Sequence, residues 1–439
     1  MAEIFPFPAL RYNATRVQIA DVVTQPYDKI TPAMQERYYA ASPGNLVRII
    51  LGKREPADND RDNVYTRAAA YFSDWRRNGI FVPDSSPSFY AYSQLFTVPG
   101  SAGVSCERRG FIGTGQIEDY NAGVVFRHEQ TLSAPKTDRL NLLRATRAHF
   151  GQIFMLYSDP QKALDSLLFA GSAAPEIDVQ DEYGVRHRVW KVSDPEVIGR
   201  VRELMSDKKL IIADGHHRYE TALNYRNERR QQAQDSGRPG NSDAPYERMM
   251  MTFVNMDAEG LLILPTHRVV FGRKNFNPVQ LVEQARPYFS VTPLPERVEG
   301  TGATRLLAEA GQGRSVLLAV TRDADFLLEA RPEADAAPGM ATLSPRQRRL
   351  DVAKLHKILL ESVLGISEED IRNQKHINYV REAGETIERV RQGANAAFLM
   401  NPVPIGQMRD VAFANEVMPQ KSTDFYPKLL SGLTVYALE

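Results

Sequence analysis

Residues 209–226, KLIIADGHHRYETALNYR, allow few local structures. Leu210, Ile211 and Ile212 form a short apolar run, Asp214-Gly215 breaks it, and a helical pattern begins at His216. The spacing predicts a buried strand that hands over to a helix through a glycine. Such a junction presents free backbone N–H groups at the positive end of the helix dipole, a ready anion site. Gly215 lets a ligand approach the main chain closely, because it has no Cβ. Arg218 offers a forked pair of donors that matches phosphate oxygens. His216 and His217 lie about 100° apart on a helix, so both can face its mouth. Asp214 either caps the helix or holds a magnesium-bound water. Two other readings stay open for these residues. The histidines are polar surface with Asp214 a structural cap, or His216 and Glu220, four apart, ligate a metal. Zinc helices need a second histidine after the carboxylate, and Thr221 stands there, so that motif is broken.

At 439 residues the chain is too long for one ordinary core, and two domains are expected. Lys+Arg and Asp+Glu both number 54, which argues against a general polyanion binder and hence against nucleic acid. No apolar run approaches the ~20 residues of a membrane span. The start, MAEIFPFPALRYNATR, lacks the pattern of a secretory signal. Cys106 is the one cysteine, which excludes an internal disulfide and a Cys-rich zinc site and suits a reducing cytoplasm.

Helices and strands are mixed, and many strands are expected to pair as hairpins. SFYAYSQLFTV and RGFIGTGQI flank a Gly/Ser loop, PEIDVQDEYGVRHRVWKV turns at DEYG, and ERMMMTFVNM and LLILPTHRVVF flank DAEG. SPRQRRLDVAKLHKILLESVLG is the clearest helix, with Ser344 and Pro345 at its start and Gly365 at its end. This order predicts an α+β fold with mixed sheets, hairpins and packed helices. The polar QQAQDSGRPGNSDAPYE is the expected boundary between an N-terminal domain, 1–235, and a C-terminal α+β domain, 245–439.

Several further stretches carry candidate chemistry. FRHEQTLSAPKTDR gathers His128, Glu129, Lys136, Asp138 and Arg139. If they converge on the junction, Glu129 or His128 takes the proton of an acceptor hydroxyl and Lys136 or Arg139 contacts phosphate; otherwise this is a solvated, ion-paired loop. QPYDKIT offers Tyr27 and Asp28 after a turn-setting proline, to cap a turn or contact substrate. PTHR places His267 and Arg268 near a strand end, as satisfied core groups or as substrate contacts. In MPQKSTDFYPK, Lys421 can reach a phosphate and Ser422 and Thr423 can hydrogen-bond it. The glycine pattern of a P-loop is absent there.

IIADGHHRYETAL resembles the signature box of the ParB/sulfiredoxin-like superfamily, which includes ParB-like free-serine kinases; the match covers Asp214, Gly215, His216, His217, Arg218 and Ala222. In that superfamily the box holds nucleotide phosphates at a helix N-terminus. RYN, VVTQPYDKIT, NLVRIILG, RHEQTLSAPKTDRLNLLRA, ILPTHRVV, LDVAKLH and VMPQKSTDFYPKLLSGL resemble domain-of-unknown-function family 1015, a bacterial and archaeal family. Gln25 stands where that family more often has proline. The resemblances imply a ParB/sulfiredoxin-like nucleotide-binding core. They also imply a kinase that moves phosphate from ATP or ADP, with magnesium, to a small hydroxyl metabolite such as free L-serine. Glu129 is then the expected base, and His216 or His217 neutralises developing charge. The alternatives are a nucleotide-gated binding protein, or a metal-dependent phosphatase or nuclease.

Overall fold

The β-rich stretches pair largely as their side-chain alternation dictates. Phe89–Thr97 and Ser105–Gln116 form the long antiparallel hairpin, in register from Tyr90↔Ile112 to Thr97↔Ser105. Ile177–Gln180 and Arg186–Val192 form the second expected hairpin. The computed structural model describes residues 2–101, 103–129, 134–171, 173–237 and 240–438. They divide into two compact units: Met1–Phe126, Thr131–Leu261 and Pro427–Glu439 in the first, Arg127–Gln130 and Leu262–Tyr426 in the second.

The first unit is built on a nine-stranded mixed sheet. Its strands run in the order Val125–Phe126, Leu210–Asp214, Ile153–Tyr157, Arg248–Asn255, Ser105–Gln116, Phe89–Thr97, Arg186–Val192 and Ile177–Gln180, with Ile4–Phe5 paired to Ser105–Gln116. Two contacts are parallel, Leu210–Asp214 with Val125–Phe126 and Ile153–Tyr157 with Arg248–Asn255; the others are antiparallel. Phe89, Phe111, Met155, Ile212, Met251 and Phe253 fill its core, with Phe111 and Phe253 stacked at 5.0 Å. Each such side chain contributes about 1.5–3 kcal/mol by leaving water. A second cluster joins Leu46, Ile49, Phe72, Trp75, Phe81, Leu142 and Phe150. Its main helix, Val64–Arg77, is started by an Asn63/Thr66 capping box.

The segment 248–270 departs from its expected hairpin. Arg248–Asn255 pairs with Ser105–Gln116 and Ile153–Tyr157 in the first unit, whereas Leu262–Leu264 and His267–Val270 belong to the second. RMMMTFVN is buried along nearly its whole length, and such a run needs covered faces and neighbours on both sides, which a two-stranded ribbon cannot give. The polar stretch expected to divide the chain therefore links two elements of the first unit, and residues 427–438 return to that unit.

The second unit carries a six-stranded antiparallel sheet, ordered Phe289–Pro293, Asp325–Ala330, Val316–Thr321, Ala396–Met400, His267–Val270 and Ile377–Val380. Ala303, Leu307, Ile387 and Val390 of two helices pack against it. The helix expected over 344–365 is broken. Pro345–Arg348 ends at an extended Leu350, Asp351–Lys354 restarts, and Leu355–Val363 is π-helical. Leu350 is fully buried, and the Lys354 ammonium donates to the Arg348 carbonyl, which occupies a carbonyl freed by the break.

Two imidazoles are set by this architecture to be neutral. The Nδ1 atoms of His149 and His267 accept the N–H of Met250 and Met400, each at 3.3 Å. Burial lowers His149 to about 4; burial, and then the neighbouring Arg268, lowers His267 to about 3. Their folded values lie below the unfolded 6.5, so the unfolded chain binds more protons between about pH 6.5 and 4. The stability they confer is complete above 6.5 and is lost as the pH falls. Calorimetric melting should therefore show the midpoint dropping already between pH 6.5 and 5, above the carboxylate range; a midpoint constant over that interval would contradict it.

Candidate functional site

The strand–helix junction expected from the sequence is present. Leu210–Asp214 is a strand, its first four residues buried, and the helix His216–Asp235 begins directly after Gly215. Gly215 adopts φ 98°, the left-handed region that disfavours any side chain. A Cβ there would lie 2.9 Å from Ile153 Cδ1 and 3.0 Å from Arg218 Nη2. Arg218 folds back over this turn, donating from Nη1 to the Gln152 carbonyl (2.6 Å) and from Nη2 to Asp214 Oδ2 (3.2 Å). The other Asp214 oxygen faces Lys428 Nζ at 3.6 Å. His216 is buried at the helix start and His217 is half-buried. Asp214 thus braces two cations.

Part of the second candidate segment meets this helix. Lys136, on the helix Ala134–Thr146, forms an ion pair with Glu220 one turn into the junction helix. Arg139, on the same helix, donates to the Ile50 carbonyl (2.6 Å) and to Asp138, and lies 4.1 Å over the Tyr27 ring. Burial opposes ionisation of Asp138, but Arg139 and then the Tyr65 hydroxyl bring its carboxyl below the usual range. Burial raises Tyr27 first and Asp28 adds to that, while Arg139 and Arg218 pull it down. Tyr27, Arg139 and Arg218 therefore share one electrostatic neighbourhood; Asp28 itself is exposed.

These three residues border a cleft. Leu142, Leu143, Phe150, Ala222 and Met249 give it apolar walls, and His149, Gly151, Thr221 and Ser431 also line it. His149, Lys428 and Ser431 were not expected from the sequence. A two-residue strand, Ala148–His149, carries the first and has no periodicity to announce it. The others lie in the C-terminal stretch that pairs back through Tyr436↔His149 and Leu10↔Val435.

The remaining candidates lie in the second unit and surround the 418–424 segment. His128 accepts the Met418 N–H at its carbonyl (2.8 Å), and its Nε2 is 2.8 Å from Thr423 Oγ1. Glu129 accepts the Lys421 N–H at 2.8 Å. Arg268 is fully buried, donates to the Thr266, Gln420 and Lys421 carbonyls and to His356 Nε2, and lies 4.9 Å over Tyr379. Burial outweighs Tyr379 and Glu129 and lowers Arg268 to about 10. Ser422 donates to the Pro419 carbonyl at 2.5 Å, and Lys421 has an exposed side chain at φ 55°. Thr131, part of the His-Glu-x-Thr pattern, lies outside the described residues.

A glycine-opened strand–helix junction, bordered by cations and an apolar cleft on a mixed sheet, defines an α+β protein with a candidate anion site. The chain belongs to the family described as a protein of unknown function, DUF1015, whose sequence profile matches residues 4–353. No curated protein matches it. Among solved structures the chain is similar to a free serine kinase in complex with AMP, at 13% identity and TM-score 0.34, over 69% of this chain and 83% of that one. It is also similar to SbnI with C-terminal truncation from Staphylococcus aureus, at 10% identity and TM-score 0.35, over 75% and 89%. A third is a conserved hypothetical protein from Pyrococcus furiosus, at 13% identity and TM-score 0.32, over 69% and 86%. No helix of the described residues is long and apolar enough to cross a membrane.

The junction's geometry makes Gly215→Ala a sharp test. Added strain at φ 98° and the contacts with Ile153 and Arg218 should destabilise the first unit by about 1–3 kcal/mol, read from urea unfolding. An Ala variant as stable as the parent would show that the left-handed turn is not required.

Proposed function

We propose that the protein binds a nucleoside di- or triphosphate (ATP or ADP) by its phosphates at Asp214–Arg218. We further propose that it transfers a phosphoryl group to the hydroxyl of a small metabolite, with free L-serine the first candidate acceptor. The observation that carries this reading is the start of the 216–235 helix, opened by a left-handed glycine beside the Arg218 guanidinium. Oriented N–H groups and a fixed cation are what a phosphate needs, and neither has to reorganise on binding. The sequence resemblance to the ParB/sulfiredoxin-like box supports the same assignment.

In the transfer the acceptor oxygen forms a bond to the terminal phosphorus, the bond from that phosphorus to the bridging oxygen breaks, and the hydroxyl proton passes to a base. His216 and His217 stand at the helix start, where they would meet charge developing on the phosphoryl oxygens. Lys136 and Arg139 contribute positive potential from the neighbouring helix. Glu129 is assigned as the base on its sequence pattern alone, and the roles of Tyr27, Asp28, His267 and Arg268 as acceptor contacts, and of Lys421, Ser422 and Thr423 as phosphate contacts, rest on sequence in the same way. The residues do not fit a dedicated magnesium site at Asp214. Both of its oxygens face cations, and among the described residues no cluster of three His, Cys, Asp or Glu side chains could hold a metal.

One observation favours a second reading, a nucleotide-gated binding protein without turnover. Near the junction Asp214 is paired with Arg218 and Lys428, and Glu220 with Lys136, so both carboxylates are already neutralised. Phosphorus NMR of the protein with magnesium, ATP or ADP and a panel of hydroxy amino acids and polyols separates the two. A new phosphomonoester resonance with L-serine is the expected result. Glu129→Gln should then abolish turnover while leaving nucleotide affinity within about twofold. Bound nucleotide without product for every acceptor would establish the binding reading, and no binding at all would refute both.

A further inference from the structure

We infer that the cleft beside the junction takes the purine base of the nucleotide, and that His149 and Ser431 read a base edge with a ring acceptor beside an amino donor, as adenine has. This inference rests on the nucleotide reading above and adds to it the base and the residues that select it.

His149 has only 6% of its surface exposed and stands on the cleft wall. Its Nδ1 accepts the Met250 N–H at 3.3 Å, so in the neutral ring the proton resides on Nε2. No group of the described residues bonds Nε2. Burial holds the imidazole neutral, its pKa lowered to about 4, so this donor persists at physiological pH. The ring is held in place by an edge-on contact with Tyr436 at 5.9 Å.

Ser431 is the second such group. It is 4% exposed, its backbone exchanges both hydrogen bonds with Thr24, and its hydroxyl, on the same cleft, is bonded by no group of the described residues. Both groups face the cleft with no partner among the described residues, so a ligand's polar atoms can meet them there. Gly151 keeps the space between Arg218 and Ser431 open: a Cβ there would lie 3.0 Å from Arg218 Nη1 and 3.7 Å from Ser431 Oγ. The apolar walls, Leu142 and Phe150 among them, suit the faces of a flat ring. Arg218 borders both the junction and the cleft, so a ligand with phosphates on one and a base in the other is continuous.

The test is calorimetric titration of the whole protein with ADP, with inorganic tripolyphosphate as a phosphate-only probe, and with ADP analogues that each replace one purine ring nitrogen by carbon. We expect one analogue to bind roughly tenfold more weakly than ADP, the loss of one buried hydrogen bond. His149→Phe should bind ADP equally weakly, lose discrimination against that analogue, and retain tripolyphosphate affinity. Ser431→Ala should weaken ADP but not tripolyphosphate. The analogue series uses unaltered protein, so it stands if a variant fails to fold. Equal affinity for ADP and every analogue, or wild-type ADP affinity in His149→Phe, would overturn the assignment while leaving the phosphate site intact. Failure of unaltered protein to bind either ADP or tripolyphosphate would overturn the nucleotide reading and this one with it.

Discussion

The Arg218 guanidinium ties the strand–helix junction to a distant stretch of chain at residue 152. It bonds Asp214 at the end of one strand, the Gln152 carbonyl just before another, and belongs itself to the first turn of the junction helix. That placement needs two glycines. Gly215 makes the left-handed turn, and Gly151 leaves room under the guanidinium. A buried or half-buried cation with two fixed acceptors keeps its position, whereas a solvated arginine would average over rotamers. The helix start, the Asp214–Lys428 pair and one wall of the cleft all take their places from this contact.

A parallel device organises the second unit around a different arginine. Arg268 is buried, and its donors are spent on carbonyls of residues 266, 420 and 421 and on His356. With the contacts made by His128 and Glu129, it fixes a loop whose Lys421 sits in a left-handed conformation. Strain at a non-glycine residue persists only where surrounding bonds over-determine it. Here they come from three separate stretches of chain.

What could be read from the sequence was local. The junction at Asp214–Gly215 and the hairpins at 89–116 and 177–192 follow from periodicity and turn residues that act on near neighbours. What could not be read depended on partners far away. RMMMTFVN carries no mark that says which sheet it completes, and the helix pattern over 344–365 cannot show that Leu350 is drawn inward. The candidate list shows the same division. Asp214, Gly215 and Arg218 stood out because they fall within five residues of one another. His149 and Ser431 did not, because a lone histidine on a two-residue strand and a serine near the C-terminal end gain meaning only when the fold sets both on one cleft.

The return of residues 427–438 to the first unit bears on how the molecule comes into being. Val435 pairs with Leu10, Tyr436 with His149, and Lys428 reaches Asp214, contacts that span most of the chain. The strands of the large sheet, up to Asn255, all precede these residues in the chain. A chain that stops short of residue 428 holds the junction without its lysine and the cleft without its serine. Loop closure over such separations is slow, and half-made intermediates are exposed for the duration. A chain truncated before residue 428 therefore cannot carry the complete cleft wall.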